Sequence, residues 1–201
     1  MEDGVFFRCF EPDDYKMIYK WHNDPEMMKD AVGMERLWSL QECKEWIEDR
    51  MKKNPFNFWY AVCLNNDSKQ MIGYFGINNI HFVNRSATCN GIVIGEKQCR
   101  DGISWIQVYL YILYYVFEVL HLNRYYGYHL ESQKLTSFVD ELLFIKEEGR
   151  QRQAYFKNGK YIDGIMRSIL SSEYFEHKQN GEYEMKNILK RIREIKNKIN
   201  N

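Results

Sequence analysis

The chain reads as one mixed α/β domain, and three observations lead there. Runs rich in β-formers alternate with helical patterns in the order strand, two helices, three strands, helix, strand, helix, two strands. Residues 105–120 are apolar on two faces, as a helix covered on two sides must be. Pro55 is the last of only three prolines, so no later strand is interrupted by a residue that cannot donate to a ladder.

Residues 5–10 alternate weakly and predict a first strand. Glu11-Pro12-Asp13-Asp14 then opens a helix, with proline in the first turn and acidic side chains at the positive end of the dipole. That helix reaches about Trp21, because Pro25 pushes the preceding residue out of helical geometry; residues 26–31 form a short second helix or a loop. Ser39-Leu40-Gln41-Glu42 is a capping box, and Cys43, Trp46, Ile47 and Met51 follow at helical spacing, which predicts a helix to about Lys53.

Strands are predicted over 58–64, 71–82 and 87–94, joined by the turns Asn65-Asn66-Asp67-Ser68-Lys69 and Asn84-Arg85-Ser86. The apolar helix comes next. Ile103, Ile106, Leu110, Leu113, Phe117 and Leu120 make one stripe, and Trp105, Tyr109, Ile112, Val116 and Val119 a second. Residues 124–130 predict a strand, 132–142 a helix with Ser132 as N-cap, and 145–156 with 161–170 a hairpin around Asn158-Gly159.

Bulk properties narrow the function classes. At 201 residues, one core is the working model. The formal net charge is zero and no long single-sign run occurs, which argues against a nucleic-acid binder. Aromatics make up 16% of the chain, enough for a ring-lined groove as well as a core. Cys9, Cys43, Cys63, Cys89 and Cys99 are odd in number and form no metal-ligand pattern, pointing to a reducing, cytoplasmic setting without a metal. The N-terminus lacks the basic start and apolar run of a signal peptide. The apolar helix is about a turn short of the ~20 residues of a membrane span and carries Gln107 and Glu118, so no membrane contact is expected. From Glu182 on, Met185, Ile188, Ile192, Ile195 and Ile199 mark a basic amphipathic helix, expected to pack on its own domain or on a second copy of the chain.

The stretch from Val93 to Leu120 is the candidate for chemistry. A strand end, a short polar loop with one glycine and a helix N-terminus meet there, where unpaired backbone N–H groups can hold a phosphate or an oxyanion.

Several local patterns resemble the GNAT superfamily of N-acetyltransferases, and most closely its branch of ribosomal-protein N-terminal and amino-sugar acetyltransferases. They are Trp21-His22-Asn23-Asp24-Pro25, Ile92-Val93-Ile94-Gly95, Phe117-Glu118-Val119-Leu120-His121-Leu122-Asn123-Arg124, Glu147-Glu148-Gly149-Arg150-Gln151-Arg152, Asn158-Gly159-Lys160-Tyr161-Ile162-Asp163 and Ile169-Leu170-Ser171-Ser172-Glu173-Tyr174. The resemblance implies a mostly antiparallel sheet with a splayed central strand pair and flanking helices over residues 1–175, with 176–201 a basic helical tail. It implies acetyl-CoA as co-substrate, its pantetheine arm along Ile92, Val93 and Ile94. Its pyrophosphate would be cradled by Gln98, Cys99, Arg100, Gly102, Ile103 and Ser104, with Ser132 at the position of the family's asparagine.

The loop departs from the family pattern in offering Gly102 alone and in carrying Asp101, whose charge Lys97 and Arg100 are placed to offset. Val139 stands where the family often has a tyrosine acid. Two readings follow. In the first, an acceptor amine attacks the thioester, its proton going to Glu96, with His81 and Glu131 as alternatives. The acceptor is then a small-molecule amine, such as a nucleotide-linked amino sugar stacked on Trp21, Trp38 or Trp59 with Arg150 and Arg152 on its phosphates, or a protein N-terminus. In the second, the domain binds acetyl-CoA poorly and serves as an interaction module.

Overall fold

The computed structural model describes residues 4–28, 36–89, 91–100 and 102–200. Its chain divides into two compact units, Met1–Val83 with Ala87–Ile112, and Asn84–Ser86 with Leu113–Asn201.

The first unit contains β1 (Val5–Arg8), a 3-10 turn Pro12–Asp14, α1 (Tyr15–His22), α2 (Pro25–Met28), α3 (Leu40–Met51), β2 (Phe58–Leu64), β3 (Met71–His81), β4 (Ser86–Thr88) from Ala87 on, and β5 (Ile92–Ile94). Most of α4 (Ile103–Tyr114) also belongs to it. β1 pairs β2 and β2 pairs β3, both antiparallel, while β4 and β5 share the outer edge of β3. Alternation along the strands sends side chains to both faces, and both are covered. On one face Ile18 and Trp21 of α1 meet Cys43 and Ile47 of α3 over Ala61 and Cys63 of β2, all buried. On the other, Tyr111 of α4 lies 4.4 Å from Phe7 and 5.9 Å from Phe75, ring centre to ring centre. Burying both faces explains why β3 is shielded from Met71 to Asn78.

Local chemistry accounts for the helix boundaries. Asp14 accepts the Glu11 N–H at 2.8 Å and grips the Arg8 guanidinium at 2.7 and 2.8 Å, so the first turn starts on an ion pair. At the end of α1, Asn23 leaves the helix and its side chain accepts the Trp38 N–H (2.8 Å) while donating to the carbonyls of Tyr19 and Trp38. The Trp-His-Asn-Asp-Pro segment is therefore a staple between the end of α1 and the approach to α3. Ser39 and Glu42 cap α3 reciprocally, as the capping box predicts.

The second unit receives the end of α4, which passes into a π-helical stretch at Tyr115–Val119, with the Leu120 N–H reaching back five residues to Tyr115 O at 2.9 Å. It continues with β6 (Arg124–Leu130), α5 (Lys134–Leu142), β7 (Lys146–Lys157), β8 (Lys160–Leu170), α6 (Ser171–Gln179) and α7 (Met185–Asn200). β8 lies between β6 and β7, antiparallel to both. The hairpin turns at Asn158 and Gly159, both at positive φ, as a tight Asn-Gly turn requires. Arg167 of β8 reaches Asp140 of α5, and both side chains are buried. Burial pushes the Asp140 carboxyl up to about 7 against the pull of Arg167.

Four expectations need correction. The strand predicted over 87–94 is two strands, β4 and β5, both on β3. The apolar helix changes its hydrogen-bond period at Tyr115, which periodicity cannot reveal because the apolar stripes continue across it. Ser132 does not cap α5: a turn closed by Gln133 N–H to Leu130 O (2.9 Å) delays the helix to Lys134, and Gln133 Oε1 accepts the Leu130 N–H. Residues 171–179 form a helix, α6, that was not expected; Glu173 accepts the Leu170 N–H at its start. Part of the predicted 26–31 segment and the Ile199 side chain lie outside the described residues. Ile188 and Ile195 of α7 are buried within the chain, while Met185 and Ile192 of the same stripe are partly exposed. No helix among the described residues is long and apolar enough to cross a membrane.

Removing one partner of a buried ion pair leaves an uncompensated charge. Arg167→Met is expected to lower stability by about 3–5 kcal/mol in urea denaturation. Adding Asp140→Leu should recover a large part of that loss. A double mutant as unstable as the sum of both single changes would show that the two side chains act independently.

Candidate functional site

The site grows from the end of β5. The N–H groups of Gly95 and Glu96 both point to the Ile72 carbonyl, at 2.7 and 3.2 Å, and the chain then makes one 3-10 turn, Lys97–Cys99. Arg100 folds back over this turn and donates from Nε to Ile94 O and from Nη2 to Gly95 O, each at 3.0 Å. Two carbonyls that end a strand without ladder partners are satisfied by one guanidinium. Gly102 follows at φ +85°, a left-handed conformation that side chains resist, with open space where a Cβ would stand. α4 then begins without an acidic side chain in its first turn. Asp101 lies outside the described residues.

Glu96 is the best-held group of the loop. Its carboxylate is buried and receives Lys20 Nζ at 2.7 Å, Trp21 Nε1 at 3.1 Å and Gln98 Nε2 at 3.4 Å. Burial raises its pKa, but the three donors outweigh burial and hold the group below the ordinary carboxylate value. Trp21, only 1% exposed, packs its indole flat against Gly95, where any Cβ would collide with the ring. Trp21 therefore serves as a floor for the loop and is not available to stack on a nucleotide sugar. Lys97 turns outward to Glu26 at 2.6 Å, with Asp24 at 4.0 Å.

The structure brings Ile92, Val93, Ile94, Glu96, Gln98, Cys99, Arg100, Gly102, Ile103 and Ser104 into one continuous strand, turn and helix start. Ile92 and Val93 are half-buried, Ile94, Cys99 and Ser104 buried, and Ile103 exposed. Among the described residues β5 pairs with β3 alone, so its second edge carries no ladder. His81 is not gathered in. Phe75 is the residue of β3 opposite Ile92, and His81 lies six residues further along, about 20 Å at strand rise. Ser132 belongs to the second unit, exposed just ahead of α5. There too, Val139 is buried and Arg150 pairs with Glu131 and with Asp163. Among the described residues no three His, Cys, Asp or Glu side chains converge as metal ligands. Lys20 escaped the sequence reading, because its importance lies in a contact between α1 and the loop that spacing alone does not encode; Gly95 stood in a quoted motif, but its packing against Trp21 was not readable there.

Beside the loop, the face of the first unit under α1 and α3 is built of rings. The centroids of Trp46 and Tyr74 are 5.3 Å apart, those of Trp46 and Trp59 5.5 Å, and those of His22 and Trp38 4.7 Å. His22 Nε2 meets Tyr74 Oη at 2.9 Å, while its Nδ1 is buried with no hydrogen-bond partner. Burial, assisted by the nearby charges of Arg50 and Arg36, lowers the His22 pKa to about 4, so the imidazole is neutral at pH 7.

Comparison with known proteins adds three findings. The model of the acetyltransferase (GNAT) domain matches residues 5–135. The spermidine N(1)-acetyltransferase of Vibrio cholerae is 25% identical over 181 residues, which cover 89% of this chain and 100% of that protein. Among solved structures, the Vibrio cholerae spermidine N-acetyltransferase in complex with CoA and spermine superposes with a TM-score of 0.75 at 23% identity, over 85% of this chain and 98% of the other. A probable acetyltransferase gives 0.73, also at 23% identity, over 85% and 94%. The expected amino-sugar and protein N-terminal acceptors gain no support from these relatives.

His22 provides a test of the ring cluster. Its folded pKa is depressed, so the folded state binds fewer protons than the unfolded chain between about pH 6.5 and 4. Stability should fall by about 1–3 kcal/mol as pH drops through that window and level off below it. His22→Gln should flatten this part of the curve when urea midpoints are measured from pH 7 to pH 4.

Proposed function

We propose, from the premise that this chain belongs to the acetyltransferase (GNAT) family and is an acetyl-CoA-dependent N-acetyltransferase of an amine, that its acceptor is a small polyamine-like cation and that acetyl-CoA lies along β5. The observation that carries the placement is the free edge of β5 running into a turn opened by Gly102 and the start of α4. An extended pantetheine arm adds to such an edge as a strand would, and a pyrophosphate suits the amides of a helix N-terminus. The residues fit the group: Ile92, Val93 and Ile94 would bind the arm, and Gln98, Cys99, Arg100, Gly102, Ile103 and Ser104 would surround the phosphates. Arg100, bonded to the Ile94 and Gly95 carbonyls, brings its guanidinium to the same turn. The acyltransferase domain is taken as residues 1–175, with 176–201 a helical appendage.

With the phosphates at the start of α4 and the arm along β5, the thioester lies toward the Ile92 end of the strand. The acceptor's neutral amine forms the C–N bond there, the C–S bond breaks, and CoA leaves as the thiolate. The proton lost by nitrogen passes to a base or to water. A valine at position 139 supplies no acid, so water is the proposed proton source for the thiolate. For Glu96, the sequence's first candidate for the base, the proposed role is positional. It lies on the loop side of Ile94, and its lone pairs are shared among three donors, of which Lys20 and Trp21 fasten the loop to α1 and Gln98 belongs to the loop itself. His81, about 20 Å along β3 from the register of Ile92, is proposed to take no part in proton transfer. The acceptor class draws on the relative named for spermidine and on the ring cluster beside Val93.

Calorimetric titration with acetyl-CoA, followed by mass spectrometry of spermidine incubated with enzyme and acetyl-CoA, tests this reading. A micromolar dissociation constant, about −8 kcal/mol, and acetylated spermidine are expected. Acetylation of a peptide N-terminus but not of spermidine would overturn the acceptor, and no heat with acetyl-CoA would overturn the site. Gly102→Val forces a β-branched residue to positive φ, a cost of about 1–3 kcal/mol. Its acetyl-CoA affinity should fall at least about ten-fold with the fold retained. Glu96→Gln should raise the KM for acetyl-CoA several-fold and leave the pH profile of kcat in place. A fall in kcat with that KM unchanged would make Glu96 the base.

A further inference from the structure

We infer that His22, Trp38, Trp46, Trp59 and Tyr74 form a subsite for the second positive charge of a di- or polyamine, a site that the protein's own Arg50 occupies when no such ligand is present. The inference rests on the placement of acetyl-CoA along β5 proposed above.

The cluster already holds cations. The Arg50 guanidinium lies 3.7 Å from the ring centre of Trp46 and 4.7 Å from that of Trp59, and Arg36 stacks 4.4 Å over Trp38. The carboxylate paired with Arg50 is Asp49, no closer than 4.0 Å, and Arg50 Nη1 donates to the Trp46 carbonyl instead. Arg50 Nε is buried with no hydrogen-bond partner. A charge kept half-buried with so little ionic pairing is stabilised chiefly by ring faces, which attract cations through their quadrupoles. The neutral imidazole of His22 adds a buried acceptor or donor, Nδ1, without adding repulsion.

Position links the cluster to the reaction. Tyr74 is the residue of β3 directly opposite Val93 of β5, and residues facing each other across an antiparallel ladder project from the same side of the sheet. Val93 packs against the same core as Tyr74, Trp46 and Trp59. A ligand with one amine at the Ile92 end of β5 therefore has ring faces within reach of a second charge several carbons away. Trp38, Trp46 and Trp59 are each partly exposed, so the rim of the cluster reaches solvent although its faces are covered by Arg36 and Arg50. Recognition by rings selects organic ammonium and guanidinium groups over small inorganic cations, whose hydration is stronger.

The test is calorimetric titration of the full chain, without acetyl-CoA, using spermidine and n-butylamine as probes. Spermidine is expected to bind at least about ten-fold more tightly than n-butylamine, which lacks the second charge, and Trp46→Leu should remove that preference. Arg50→Gln, which withdraws the internal occupant and leaves the rings, should tighten spermidine several-fold. Equal affinity for the two amines in the wild type overturns the subsite, as does a preference that survives Trp46→Leu. If Trp46→Leu does not fold, judged by circular dichroism, Arg50→Gln decides alone, and an unchanged affinity for spermidine overturns the inference. Failure of the acetyl-CoA placement is read separately: no heat with acetyl-CoA removes that placement and leaves a preference for spermidine standing.

Discussion

The candidate site depends on one buried carboxylate. Glu96 sits where β5 gives way to the loop, and its bonds to Lys20 and Trp21 tie that loop to α1. A buried anion is costly unless its lone pairs are satisfied, and here Lys20, Trp21 and Gln98 satisfy them. The same contact sets the identity of its neighbour. Because the Trp21 indole must lie against the backbone to reach Glu96, position 95 has room only for glycine. Arg100 completes the arrangement from the other side by bonding the carbonyls of Ile94 and Gly95. The loop thus enters α4 with a geometry imposed by side chains from α1, not by its own two or three glycines. That offers a physical reason why the loop proposed to hold the phosphates has Gly102 alone where the family pattern has more small residues.

The ring cluster shows the opposite strategy for holding charge. Arg50 is half-buried and its pKa is lowered, first by the loss of water, yet no carboxylate approaches it closely. Around it lie aromatic faces and one neutral imidazole, while burial keeps the Tyr74 phenol protonated by raising its pKa. Two devices for cations therefore stand on the same face of the first unit: an ionic one at Glu96 and an aromatic one at Trp46 and Trp59. The second unit uses the ionic device for structure, in the Arg167–Asp140 pair between β8 and α5 and in Glu118, which receives Tyr174 and Lys178.

Most elements were legible in the sequence because local rules agreed with the tertiary context. The Ser39–Glu42 box, the Asn158-Gly159 turn and the apolar spacing of α3 and α4 each carry their own physical signal, and β2 and β6 occupy the residues expected. The misses share a cause. The split of the third meander strand and the π-helical stretch at Tyr115 alter hydrogen-bond register without altering the apolar pattern, so periodicity is blind to them. α6 has a weak apolar pattern, and its start is set by Glu173 bonding the Leu170 N–H and Lys146.

For the site, the linear order of strand, turn, glycine and helix was enough to single out the loop proposed to bind the phosphates, since backbone amides at a helix start exist whatever surrounds them. The roles of individual side chains were not readable that way. Glu96 reads in the sequence as the candidate base, and only folding reveals Lys20 and Trp21 against it; Trp21 reads as a ligand platform, and only folding buries it under Gly95. The sequence by itself determined the elements, their order and the place of the loop, because those follow from spacing and backbone chemistry within a few residues. Tertiary structure decided which charges are satisfied and which rings face one another, because Lys20 and Glu96 are separated by 76 positions and meet only through packing.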